Sequence, residues 1–177
     1  MKYRIEDIPL EGTTLKGELE PDWLSQSLEG EEHLDLSAAS PIVYRVGLVR
    51  GEATVSVRGA VKTTIRTSCS RCLEPFTLPI DSEFAFTLTP VPADRGHYER
   101  ELLPEELDTE FYEGDSIDVG KILVQQIILS LPIKALCREN CLGLCPKCGI
   151  NRNQETCTCS TDEPVDPRMA GLKKLLK

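Results

Sequence analysis

The chain has 177 residues, of which 40% are apolar and only 5% aromatic, and carries 29 Asp and Glu against 20 Lys and Arg, for a formal net charge of −9. That length suits one domain with room for an appended module, and aliphatic side chains must fill its core. The negative balance makes the chain as a whole a poor indiscriminate nucleic-acid binder, because such binding depends on cations releasing counterions from phosphates.

The charge is unevenly spread. Residues 1–36 and 92–118 are strongly acidic, whereas 41–80 carries Arg45, Arg50, Arg58, Lys62, Arg66 and Arg71 against only Glu52 and Glu74. The opening MKYRIEDIPLEG lacks the apolar stretch of a signal peptide, and the longest apolar run, ILVQQIILSLP at 122–132, is too short for a bilayer. The expected compartment is therefore the cytoplasm, with no membrane partner. Thiols stay reduced there, so eight cysteines read as metal ligands or redox groups before disulfides.

In chain order, DWLSQSLEG at 22–30 predicts a short helix, and the β-branched PIVYRVGLV at 41–49 a strand. Residues 53–67 alternate in period two. Val55, Val57, Val61 and Ile65 fall on one parity, and Arg58, Lys62 and Arg66 on the other, which is a half-buried strand with a wet face. Gly59 within it suggests a bend, a bulge or a tight hairpin. FTLPIDSEFAFTLTP at 76–90 alternates again, with Phe84, Phe86 and Leu88 on one face.

Residues 91–117, rich in Pro, Glu and Asp, read as a long acidic surface loop. A helix is then expected from an Asp118 N-cap to Pro132, burying Val119, Ile122, Leu123, Ile127 and Leu131. DPRMAGLKKLLK predicts a last helix with Asp166 as cap and Pro167 in its first turn. The expected fold class is α+β: an antiparallel β-sheet or small barrel, a packed helix and a C-terminal Cys-rich zinc-binding segment. The body spans 1–136, and 137–177 docks on it.

The cysteines carry the chemistry. Cys69-Ser-Arg-Cys72 and Cys145-Pro-Lys-Cys148 are CxxC knuckles, each able to present two sulfurs to one ion. Cys137 and Cys141 form a third pair, and Cys157 and Cys159 a fourth. Eight ligands suffice for two closed tetrahedral zinc sites, with an iron–sulfur cluster as the alternative. If each site used only neighbours in sequence, Cys69 and Cys72 would lack partners. The economical solution joins them to Cys137 and Cys141, leaving Cys145, Cys148, Cys157 and Cys159 for a second site. The first would then staple distant parts of the chain, and the second would order only a local knuckle.

Other chemistry is poorly supported. The spacing Cys141, Cys145, Cys148 is formally that of radical enzymes, but their barrel needs βα repeats that are absent. His33 and His97 stand in polar, acidic surroundings, and no phosphate-binding glycine loop or small-molecule site is evident.

CSRCLEPF at a strand end, LPIKALC after a helix, and CLGLCPKCGINRN followed by CTCS and DPRMAGLKKL together resemble the YceD family of large ribosomal RNA subunit accumulation proteins, from about residue 40 onward. The resemblance implies a non-enzymatic factor in accumulation or processing of 23S ribosomal RNA. Expected partners are ribosomal RNA, through a basic face of Arg58, Lys62, Arg66 and Arg71 joined by Arg138, Lys147 and Arg152, or pre-ribosomal proteins. The alternatives are a metal-stapled protein adaptor and a thiol or metal enzyme such as a nuclease.

Overall fold

A computed structural model describes residues 1–29, 35–91 and 108–159. The elements are β1 (Lys2–Arg4), a 3-10 turn (Ile5–Asp7), β2 (Thr13–Leu19), α1 (Asp22–Ser27), β3 (Ser37–Ala38), β4 (Ile42–Arg50), β5 (Val55–Ser68), β6 (Pro75–Pro90), β7 (Thr109–Tyr112), β8 (Ser116–Asp118) and α2 (Val119–Leu129). Six strands form one sheet along the path β2-β4-β5-β6-β7, with β3 also pairing with β5. The path does not close, so among the described residues the fold is an open sheet and not a barrel. A separate ribbon pairs β1 with β8.

Period-two patterning explains the central strands. Val55, Val57, Val61 and Ile65 of β5 are buried, while Ser56, Arg58, Lys62 and Arg66 are exposed. The buried parity continues through Ile42, Val46 and Leu48 of β4 and through Ile80, Phe84 and Leu88 of β6. Leu24 and Leu28 from the α1 region, and Val119, Ile122, Leu123 and Ile127 from α2, join the same core. At about 1.5–3 kcal/mol for each fully buried aliphatic side chain, this face is the main source of stability.

Gly59 has a different role from the one expected. The register runs unbroken through Arg58↔Ala85, Gly59↔Phe84 and Ala60↔Glu83, so there is neither bulge nor hairpin. A Cβ at Gly59 would lie 2.5 Å from the Phe84 ring and 2.8 Å from the Arg45 carbonyl oxygen. The missing side chain makes room for the ring, which stacks with Phe86 at a centroid distance of 6.1 Å.

Asp118 caps α2 as expected, its carboxylate accepting from the Gly120 and Lys121 backbone N–H groups at 3.0 and 3.3 Å. The helix ends earlier than Pro132. Ser130 closes it by donating its backbone N–H and hydroxyl to the Gln126 carbonyl, at 3.1 and 2.6 Å. The acidic loop of 91–117 is also corrected. Its last part forms β7, parallel to β6, and β8, which leads directly into the helix cap. Strands of four and three residues are too short to show a period, and their acidic neighbours hide them. Residues 92–107 and the expected helix from Asp166 lie outside the described residues.

Candidate metal centre

The first knuckle is the turn of the β5–β6 hairpin. Ser68 pairs with Pro75, and the Cys69 backbone N–H donates to the Glu74 carbonyl at 2.9 Å, leaving Cys69 and Cys72 at the tip. The second knuckle, Cys145–Gly149, repeats the same turn. The Leu73 N–H reaches the Cys69 carbonyl at 2.9 Å, and the Gly149 N–H reaches the Cys145 carbonyl at 2.8 Å. Both residues after the second cysteine take positive φ, 60° at Leu73 and 75° at Gly149. The two segments share only their cysteines in sequence, yet share a backbone. Glycine adopts that φ freely, whereas Leu73 holds it under mild strain.

The eight sulfurs fall into two groups of four: Cys69, Cys72, Cys137 and Cys141, and Cys145, Cys148, Cys157 and Cys159, with the ligand atoms of each within 4.8 Å of one another. This is the grouping expected from the ligand count. In the first, Cys69 and Cys141 sulfurs are 3.8 Å apart and those of Cys72 and Cys137 3.7 Å. In the second, Cys157 lies 3.6 Å from Cys148 and 3.3 Å from Cys145. The edge of a sulfur tetrahedron around zinc, with Zn–S of about 2.3 Å, is about 3.8 Å. Both groups thus have the dimensions for a single tetrahedral ion. Sulfurs this close leave no room for a multi-iron cluster between them.

The groups differ in depth. Cys69, Cys72 and Cys141 are buried in an apolar cluster with Phe76 and Leu136, whereas Cys148 is exposed. They also differ in reach. The first joins residues 65 and 72 positions apart, tying the hairpin tip to the chain that follows α2. Backbone bonds reinforce the tie, with the Ser70 N–H donating to the Ala135 carbonyl at 2.8 Å and the Leu144 N–H to the Arg71 carbonyl at 2.9 Å.

Hydrogen bonds and burial divide the protons unevenly. Burial is the largest influence on Cys69 and pushes its thiol up, but the backbone groups of Cys137, Cys72 and Arg71 outweigh it and hold it at about 6. Burial, and then the thiols of Cys72, Cys69 and Cys141, push Cys137 up to about 12. In the second group the Cys148 and Lys147 backbones hold Cys145 at about 6, while Cys157 and Cys148 push Cys159 up to about 12. A divalent cation bound here would replace the retained protons, so loading would release protons and weaken as pH falls.

The second group is not confined to a local knuckle. Asn153, between Cys148 and Cys157, donates from Nδ2 to the Cys141 sulfur at 3.3 Å and to Asn151 Oδ1 at 2.8 Å. Its Oδ1 accepts from the Leu142 N–H at 2.8 Å. Asn151 and Gln154 donate to Glu74 Oε1, beside the first knuckle, at 3.3 and 3.1 Å. The loop of one group therefore supports a sulfur of the other. Sequence reading missed Asn153, because GINRNQE gives no sign of which amide turns inward.

The basic residues separate. Arg58, Lys62 and Arg66 are exposed on the wet face of β5, and Lys62 is paired with Asp81 at 2.7 Å. Arg71 lies beyond β5 in the knuckle, where its guanidinium donates to the Cys141 carbonyl at 2.8 Å. Arg138, Lys147 and Arg152 are exposed in the thiol-bearing chain that follows α2. Lys16 and Arg45 also belong to the wet face, a placement that only strand register reveals.

The molecule is thus a sheet protein carrying two tetrathiol groups at a hairpin tip. Residues 57–176 match the family described as large ribosomal RNA subunit accumulation protein YceD, and the chain belongs to that family. It is 26% identical over 158 residues to large ribosomal RNA subunit accumulation protein YCED homolog 1, chloroplastic, of Arabidopsis thaliana, covering 73% of this chain and 47% of that protein. The Zea mays protein of the same name is 28% identical over 143 residues, covering 68% of this chain and 49% of that protein. An uncharacterised Mycobacterium tuberculosis protein is 30% identical over 122 residues, covering 69% of this chain and 56% of that protein. The chain spans about half the length of these relatives. No solved structure matches it. No helix among the described residues is long and apolar enough to cross a membrane.

Proposed function

We propose that the protein is a non-enzymatic factor in the accumulation or processing of 23S ribosomal RNA, and so in large-subunit biogenesis, held in shape by two structural zinc ions. The family name and the names of the plant relatives support the ribosomal role. The observation that carries the structural reading is the pair of tetrathiol groups. Four protein sulfurs complete a tetrahedral shell, so zinc held there has no open position for a reactive water. Thiolates also suit zinc over oxygen-seeking ions. Cys69, Cys72, Cys137 and Cys141 hold one ion, and Cys145, Cys148, Cys157 and Cys159 the other. A reducing compartment, the cytoplasm, keeps these thiols available.

The test is depletion of the protein from its own cells, followed by gradient sedimentation of ribosomal particles and measurement of 23S against 16S RNA. Loss of free large subunits and a falling 23S share are expected, restored by the intact chain. Unchanged particle profiles and RNA ratios would overturn the reading.

A further inference from the structure

The wet face of the sheet contains a run of cations that stability does not explain. Lys16 on β2 stands directly opposite Arg45 on β4, and Arg45 opposite Ala60 on β5. Arg58 lies two residues before Ala60 on the same face, diagonal to Arg45. Opposite residues in a sheet have Cβ atoms about 5 Å apart, diagonal ones about 7–8 Å, and like charges at the shorter spacing destabilise the pair. Lys62 on this face has its carboxylate in Asp81. Among the described residues Lys16, Arg45 and Arg58 have none within ion-pair distance.

These three cations line an open depression of about 620 Å³ whose floor includes Gly47 and Ala60 on the wet face. Small residues there keep the floor low, so a chain lying on the sheet can approach the backbone between the cations. Glu83 on β6, opposite Ala60, lines the depression on one side, and the exposed Glu18, two residues beyond Lys16 on the same face of β2 and diagonal to Arg45, bounds the cationic run on the other. The result is a basic track over β2, β4 and β5 in a protein of net charge −9. A polyanion laid along it would remove the Lys16–Arg45 repulsion and exchange counterions for fixed cations.

We propose that Lys16, Arg45 and Arg58 form a binding site for the phosphate backbone of single-stranded RNA. The site takes two or three phosphates and reads no base. Identifying the polyanion as RNA rests on the large-subunit reading above; the site itself rests on the register and the depression. Arg58 is common to this site and the strand face expected from sequence, while Lys62 and Arg66 lie farther along β5.

The experiment measures binding of the full zinc-loaded chain to a transcribed 23S RNA fragment over a salt series, with R45A/R58A and K121A, an exposed cation on α2, as the variants. R45A/R58A is expected to bind at least tenfold more weakly and to lower the slope of log K against log salt by about 1.4, roughly 0.7 for each phosphate left without its cation. K121A is expected to stay within about twofold of the parent. Equal affinity and slope for R45A/R58A and the parent would overturn the site. So would tighter binding to polyglutamate than to RNA of equal charge, which would assign the track to an acidic protein. Should the double variant misfold, R58A alone must lower the slope by about 0.7. A cell line in which R45A/R58A sustains normal 23S levels would remove this site while leaving the ribosomal role standing.

Discussion

At the scale of single residues, Asn153 is the most informative side chain. It belongs to the loop of the second thiol group but donates to a sulfur of the first, and its own oxygen is held by the Leu142 N–H. An amide donor favours a thiolate over a thiol, and it opposes the burial that pushes Cys141 up. Outer hydrogen bonds of this kind typically change metal affinity about 10- to 100-fold. Asn153→Ala is therefore expected to weaken zinc at the first group by that factor, read by competition with a chromophoric chelator. Equal affinities in variant and parent would show that the amide is ornamental. The cysteines were legible because four pairs of one reactive residue type stand out in any chain. Asn153 was not, since an inward amide and a solvated one look the same in sequence.

At the scale of elements, the long strands announce themselves and the short ones do not. β4, β5 and β6 run for nine, fourteen and sixteen residues, enough for alternation to show. β7 and β8 have four and three, and their acidic surroundings made them look like loop. The parallel pairing of β7 with β6 depends on tertiary placement that no local pattern encodes. Gly59 was visible as a break in composition, but its cause sits on the next strand. Gly59→Ala would drive a methyl group into the Phe84 ring and the Arg45 carbonyl. A loss of about 1–3 kcal/mol is expected, as for other overpacked cores. Urea unfolding measures it, and adding Phe84→Leu should recover part of the loss. An Ala variant as stable as the parent would mean that the ring can move aside at no cost.

At the scale of the whole molecule, the described residues form two separate cores: the apolar interior between sheet and helices, and the thiol cluster around Cys69, Cys72 and Cys141. The aliphatic core is set by strand and helix periodicity. On the zinc reading proposed above, the thiol cluster depends on metal, because four thiols without an ion supply little cohesion. Structural zinc contributes up to about 10–16 kcal/mol of apparent affinity to the folded state. The first group applies that affinity to closing a long stretch of chain, so Cys69→Ser should destabilise the whole protein by several kcal/mol. Cys157→Ser should cost less, yet more than a loosened tail, because the Asn153 and Glu74 hydrogen bonds pass the disturbance to the first group. Thermal unfolding of both variants gives the order. Equal losses, or a larger one for Cys157→Ser, would contradict the division of labour.

The central claim is that eight thiolates hold two zinc ions, four sulfurs to each. Native mass spectrometry of the full chain, purified in reductant without added metal, tests it most directly. The expected result is a dominant species heavier than the bare chain by two zinc ions, reverting to the bare mass on acidification. A species carrying one ion, none, or the mass of an iron–sulfur cluster would contradict it.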